Sequence, residues 1–236
     1  MLVRAWMQQV AQLRKYHNIE VVWVTSGAIA SATERTTFKT KKRTLAQKQA
    51  LSAIGQPLVM DQYNLALQVS GLLGAQVLLT YDDLANQRRR ENFTNTMKQL
   101  LKWGVTPVLN ENDAIATEEI KFGDNDSLSA KVAVAMQAKR LLILTDVDGL
   151  YDADPKKTKT AKLIHHLSHV SKENLNSVSS HAGSSSGTGG MLSKLLAARE
   201  ATKNGIETWL VKGDAAGVLI RVAKNEKAGT RICKKN

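Results

Sequence analysis

One cysteine, three prolines and 5% aromatic residues are what this 236-residue sequence has least of, and each shortage excludes something. The single cysteine, Cys233, rules out an intrachain disulfide framework and fits a reducing cytosol. No apolar run approaches the ~18–20 residues needed to cross a bilayer, so the chain reads as soluble, with no membrane partner. The opening MLVRAWMQQV is amphipathic and too weakly apolar for a signal peptide, which makes a cytoplasmic location the expectation. Acidic residues are scarce as well: 21 stand against 33 lysines and arginines, for a formal net charge of +12. A surplus of that kind can mark a nucleic-acid binder. The basic residues are dispersed, however, in TKKR (40–43), QRRR (87–90), PKKTK (155–159) and the tail, and no aromatics interleave with them as a base-stacking platform requires. The pattern reads as a solvated basic surface that attracts anionic ligands and argues against a nucleic-acid partner.

What the sequence does contain is alternation. The runs VVWVTS (21–26), AQVLLT (75–80), TPVLNEN (106–112), LLILTD (141–146) and ETWLVK (207–212) are continuous and rich in β-branched residues, the mark of strands covered on both faces. Helical patterns fill the gaps, at about 2–16, 44–70, 90–103, 127–137 and 191–204. Asn204-Gly205 supplies a C-cap for the last of these. Strand and helix in alternation predict right-handed crossovers and a mostly parallel sheet. Trp6, Trp23, Trp103 and Trp209 are expected in the core. SVSSHAGSSSGTGG (177–190) is the one low-complexity stretch.

In open parallel sheets ligands bind beyond the carboxyl ends of the strands. Here those ends carry Thr25-Ser26-Gly27, Asn110-Glu111-Asn112-Asp113 and Thr145-Asp146. In TSGAIA (25–30) a strand runs through glycine into a helix, whose free N–H groups favour an anion. GSSSGTGGMLSK (183–194) runs small residues into a helix with Lys194 about one turn inside, a layout that can cradle phosphates, although it is not a Walker A sequence. The bland reading of that stretch is a flexible linker. In KFGDNDSLSA (121–130), Asp126 reads as the N-cap of a helix starting near Ser127. That leaves Asp124 and the preceding NENDA without a cause. TDVDGLYDADP (145–155) lacks the spacing and terminal glutamate of a calcium loop, and HHLSH (165–169) lacks further ligands for zinc, so no metal site is assigned.

Taken in order, VTSGAIA, LAQKQALSAIGQP, PVLNENDAIATEEIKFGDNDSLSA, LLILTDVDGLYDADP and GTGGMLSKLLAA resemble the amino-acid kinase superfamily and, within it, the glutamate 5-kinases. The likeness runs from about residue 20 to 230. It implies a three-layer α/β/α sandwich with a mostly parallel central sheet. It also implies a phosphotransferase that moves the γ-phosphoryl of MgATP to the γ-carboxylate of L-glutamate, in proline biosynthesis. Matched motif by motif, Ser26, Gly27, Asp113, Asn125 and Asp126 correspond to glutamate-binding positions. Thr145, Asp146, Thr188, Gly189, Gly190, Met191, Leu192, Ser193 and Lys194 correspond to ATP-binding positions. Lys194 would stabilise the phosphoryl group in flight and Asp124 would orient that lysine. Ser193 stands where the family commonly has threonine and keeps the hydroxyl. ATP and Mg²⁺ are the implied cofactors, a homo-oligomer the implied assembly, and proline an implied feedback inhibitor. An ionised carboxylate needs no general base, so alignment and charge neutralisation suffice for such chemistry.

Two departures from the family pattern shape the expectation. Family members begin with a strand of the type VVKxGS, whereas residues 1–236 start at what reads as the following helix. The expectation is therefore one kinase domain without its first strand, with weak nucleotide and glutamate binding and little turnover. The alternative is a non-catalytic homologue that senses glutamate or proline. The chain stops near GTRICKKN, where longer members continue into a small β-rich PUA domain, so none is expected here.

Overall fold

A computed structural model of the chain describes residues 1–38, 43–116, 125–155, 157–179 and 190–233. Its backbone contacts divide it into two compact units, Met1–Asn125 and Asp126–Asn236.

The first unit contains α1 (Leu2–His17), β1 (Trp23–Val24), α2 (Ala28–Arg35), α3 (Leu45–Val69), β2 (Leu73–Leu79), α4 (Tyr81–Ala85), α5 (Gln87–Lys102) and β3 (Val105–Glu111). Its strands run in the order β1-β3-β2, all parallel, with Trp23 opposite Val108 and Leu73 opposite Val105. β3 is central and buried along its whole length, which is why VTPVLNE shows no alternation. α1 presents Met7, Val10 and Leu13 at helical spacing to this core. α3 starts with a capping box: Thr44 accepts from the Gln47 N–H and the Gln47 side chain accepts from the Thr44 N–H. Truncating a core leucine such as Leu67 or Leu109, each fully buried, would cost about 2–5 kcal/mol.

One contact fixes how α2 meets α3. A Cβ added to Gly55 would stand 1.7 Å from the Ala28 carbonyl oxygen, so only glycine lets the start of α2 lie against α3. The SAIGQP segment (52–57) therefore carries a packing requirement.

The second unit contains the body of α6 (Asn125–Ala135), then β4 (Arg140–Thr145), β5 (His166–Leu167), α7 (Lys172–Ser179), α8 (Met191–Lys203), β6 (Glu207–Lys212), α9 (Val218–Ala223) and β7 (Thr230–Ile232). The strand order is β4-β6-β7-β5, with β6 and β7 antiparallel and the other pairs parallel. Leu141, Ile143, Leu195, Ala198, Leu210 and Ile232 form its core. α8 ends as expected, with Asn204 as C-cap and Gly205 at φ +79°. Gly149 and Gly229 mark a close approach: a Cβ on Gly149 would lie 2.6 Å from the Thr230 Oγ1, and one on Gly229 2.2 Å from the Leu210 carbonyl.

Two expectations are corrected here. Trp23 and Trp209 are buried, and Trp6 is half-buried with its ring centroid 5.3 Å from that of Trp23, but Trp103 is 70% exposed. It is the C-cap of α5, one residue past the helix, whose buried residues are Phe93 and Met97. Asp126 is not an N-cap either: α6 begins at Asn125, so Asp126 lies inside its first turn. No helix among the described residues is long and apolar enough to cross a membrane.

Candidate active site

In the first unit the expected loops meet. Thr25 continues the line of β1, donating its N–H to the Leu109 carbonyl at 2.8 Å. Ser26 follows, exposed, and Gly27 (φ +100°) is the N-cap of α2, in a conformation that side chains disfavour. The loop's position is set by Tyr63 of α3, whose hydroxyl receives the Trp23 Nε1–H at 2.9 Å and the Thr25 Oγ1–H at 3.0 Å. Burial pushes the Tyr63 phenol above its ordinary range, partly offset by the Thr25 and Trp23 bonds.

Asn125 binds the same loop from its own side. Its Nδ2 donates to the Thr25 carbonyl at 2.5 Å and to the Asn110 Oδ1 at 2.7 Å. Asn110, buried at the end of β3, also accepts the Glu111 N–H at 2.9 Å and donates to the Gln56 Oε1 at 2.7 Å. With both Nδ2 hydrogens engaged, what the Asn125 amide can offer a ligand is an acceptor. Asp113 offers another: its Oδ2 accepts from the Ser52 hydroxyl at 2.8 Å, and burial pushes its carboxyl upward against the lowering effect of that bond. The loop holding Asp113 is tied to β2 by Asn112 N–H to the Leu79 carbonyl (2.9 Å) and to α3 by Gln49 Nε2 to the Ala116 carbonyl (3.0 Å). Acceptors of this kind suit an ammonium group, and the start of α2 suits an anion.

The second unit holds a charged pair. Gly190 is the N-cap of α8, and its carbonyl accepts from the Ser193 hydroxyl at 2.8 Å. Ser193 also lies 2.8 Å from the Asp126 Oδ2, and the Lys194 Nζ donates to that same oxygen at 2.9 Å. The lysine and aspartate side chains are 13% and 16% exposed, sheltered enough to be held and open enough to reach a ligand. Met191 and Leu192 pack their side chains on the core, so what they can offer a ligand is backbone at a helix start. At the end of β4, the Thr145 Oγ1 donates to the Asp146 Oδ1 at 3.2 Å, and the Thr145 carbonyl accepts the Gly213 N–H at 2.9 Å. Lys194 beside a helix N-terminus can neutralise phosphate oxygens.

The matching family model is the amino acid kinase family, over residues 2–212. The chain belongs to the amino acid kinase family. It is 46% identical over 222 residues to the glutamate 5-kinase of Citrifermentans bemidjiense, covering 94% of this chain and 59% of that protein. It is 43% identical to the glutamate 5-kinase of Thermoanaerobacter pseudethanolicus (95% and 60%) and 42% identical to that of Streptococcus suis (94% and 62%). The chain thus spans about three fifths of the length of the curated relatives it matches. Among solved structures it resembles a UMP kinase from Bacillus anthracis (TM-score 0.62, 18% identity, 99% of this chain and 87% of that one). It also resembles an isopentenyl phosphate kinase (TM-score 0.61, 15% identity, 96% and 89%). These likenesses show the fold, an α/β sandwich with mostly parallel strands.

For this amino acid kinase, the residues expected from sequence fall into three groups. Ser26 and Gly27 follow Thr25, whose carbonyl Asn125 binds, and Asp113 is held separately on α3; Ser193 and Lys194 gather on Asp126; Thr145 and Asp146 sit together at a strand end. Asp124, Thr188 and Gly189 lie outside the described residues. Asp126 meets Lys194 in the way the resemblance assigned to Asp124. Sequence reading missed Ser52, Gln56 and Tyr63. Their signal was present as polar residues at 52, 56 and 63, a spacing that returns to one helical face, and all three are buried. Among the described residues no cluster of three His, Cys, Asp or Glu side chains could hold a metal ion.

Proposed function

We propose that this chain transfers the γ-phosphoryl group of ATP to the γ-carboxylate of L-glutamate, giving L-glutamyl 5-phosphate and ADP. The observation that carries the reading is identity of 42–46% to proteins named glutamate 5-kinase, sustained over about 95% of the chain. The two acceptors at Asp113 and Asn125 support it, because an amino acid brings an ammonium group for them. Ser26 and the start of α2 receive a carboxylate. Ser193 and Lys194, with the backbone at Gly190, Met191 and Leu192, receive the nucleotide phosphates, and the strand end at Thr145 and Asp146 belongs to the same nucleotide subsite. Asp124, Thr188 and Gly189 join these groups on motif correspondence alone.

In the reaction a γ-carboxylate oxygen bonds to the γ-phosphorus while the bond from that phosphorus to the β–γ bridging oxygen breaks, and its electron pair leaves with ADP. The acceptor is already ionised at neutral pH, so no residue need remove a proton. The chain's work is alignment, with Lys194 offsetting charge on the phosphoryl oxygens. Mg²⁺ carried by the nucleotide would supply further charge neutralisation. The described residues offer it no carboxylate cage, and no step here runs through it.

The test is glutamate-dependent ADP release by the purified chain, with hydroxylamine trapping the acyl phosphate as a hydroxamate. ADP release that does not depend on glutamate, or no hydroxamate, overturns the reading. A homo-oligomer and inhibition by proline go with it, checked by sedimentation and by adding proline to the same assay.

A further inference from the structure

We infer that Gln56 is a positioning residue for the amino-acid subsite, acting through Asn110 to set the orientation of Asn125. The inference rests on the glutamate-kinase reading above. Its starting point is a group whose role is not interchangeable: the Glu111 backbone N–H can only donate. It lies 2.9 Å from the Asn110 Oδ1, so that atom must be the oxygen of the amide. The Asn110 Nδ2 then faces Gln56 at 2.7 Å, which requires Gln56 to present its Oε1. Asn110 Oδ1 next accepts from the Asn125 Nδ2 at 2.7 Å, and the other Asn125 hydrogen goes to the Thr25 carbonyl at 2.5 Å. Each link fixes the next, and the chain ends with the Asn125 Oδ1 left as the ligand-facing acceptor.

Asn110 is 1% exposed and Gln56 is 8% exposed, so water is a poor substitute for either partner. Without the Gln56 acceptor, the Asn110 Nδ2 is buried and unsatisfied. Turning the amide to rescue it would set NH₂ against both the Glu111 N–H and the Asn125 Nδ2, donor against donor. Gln56 thus supplies the side-chain acceptor that the buried Asn110 Nδ2 needs in the one orientation its Oδ1 partners allow. Its neighbours on the same helical face act in parallel, Ser52 on Asp113 and Tyr63 on Thr25. Gln56 acts on Asn125 through Asn110, by holding the Asn110 amide where its Oδ1 meets the Asn125 Nδ2, while the Thr25 carbonyl holds Asn125 from the other side.

The test compares the full chain with Gln56→Met and Gln56→Glu. L-glutamate affinity is measured by calorimetry, and KM for glutamate, KM for ATP and kcat by ADP release. Gln56→Met is expected to raise the glutamate Kd and KM about tenfold and to leave the KM for ATP within about twofold. Gln56→Glu keeps the acceptor and is expected to recover most of that loss. If Gln56→Met fails to fold, Gln56→Asn withdraws the acceptor by one methylene and replaces it in the comparison. Unchanged glutamate affinity in the folded variant, equal rises in both KM values, or a glutamate variant no better than methionine overturns the inference and leaves the functional reading standing. Absence of glutamate binding by the unsubstituted chain overturns that reading and this inference with it.

Discussion

The two units bring together polar groups at chain positions of the same kind, a strand end and a helix start, yet by opposite means. In Met1–Asn125 the groups are mostly neutral: amides of Gln56, Asn110 and Asn125, hydroxyls of Ser52, Thr25 and Tyr63, and one carboxylate whose burial disfavours its charge. In Asp126–Asn236 the centre is an ion pair, Lys194 on Asp126, with Ser193 alongside. A network of neutral hydrogen bonds fixes direction, because each donor faces one acceptor, and salt hardly changes it. A lysine is a point charge on a flexible stem that reorients as a ligand's charge changes. The difference matches the two tasks in the proposed reaction: recognising a small zwitterion by geometry, and following a phosphoryl group whose charge is redistributed during transfer.

The comparison breaks most visibly at Lys194. Lys194→Met is expected to lower kcat about 10²–10³-fold in the ADP-release assay, with glutamate affinity by calorimetry little altered. A second variant sharpens the other side. Asp113→Asn keeps shape and an acceptor oxygen for Ser52 but removes the charge, and should weaken glutamate binding about tenfold or more. Its effect on stability has the opposite sign. Burial raises the folded-state pKa of Asp113, so its contribution to stability is greatest in acid and is lost as pH rises through that raised value. At neutral pH Asp113→Asn should therefore melt no lower than the unsubstituted chain, and slightly higher. A fall in melting temperature with binding intact would make Asp113 structural.

Gly55→Ala tests the scaffold rather than the groups it carries. With a Cβ placed 1.7 Å from backbone, α2 and α3 must separate, costing about 1–3 kcal/mol in denaturant unfolding. The smallest effect is expected far from any ligand group, at Glu207. Burial opposes its ionisation, but the Trp209 N–H, Arg231 and Arg140 together hold its carboxyl below the usual glutamate range. That stabilisation is present above about pH 4.3 and is lost as pH falls through the lowered value. Glu207→Gln should cost about 1 kcal/mol at pH 7 and nothing in acid, with glutamate affinity unchanged.

Much of this was legible in the sequence where a local rule applied. All five long apolar runs appear as strands within a few residues of their expected limits, and β3 and β6 are covered as a buried parallel strand requires. But β2, at the edge of its sheet, leaves Leu73 and Leu78 exposed, contrary to the expected cover on both faces. The short elements were not legible. β5 and β7 are two and three residues long, and their sequences acquire strand character only by pairing with each other and with β6. Asp126, the apparent cap, lies inside α6, which includes Asn125, and accepts instead from Lys194, 68 positions away. The opposite fates of Trp103 and Trp209 show the same limit, since composition places both rings inside and only packing leaves one in solvent.

By itself the sequence determined which chemical groups stand at the strand ends, where glycine must sit and in what order strands and helices alternate. Those features depend on residue type and on spacings of a few positions. The tertiary structure decided the partners. Asn125 and Asp126 are neighbours in the chain, yet one donates to Thr25, 100 positions away, and the other accepts from Lys194. On a helix, adjacent residues point about 100° apart and so meet different surroundings. What those surroundings contain is set by long-range closure of the chain, for which no local periodicity exists.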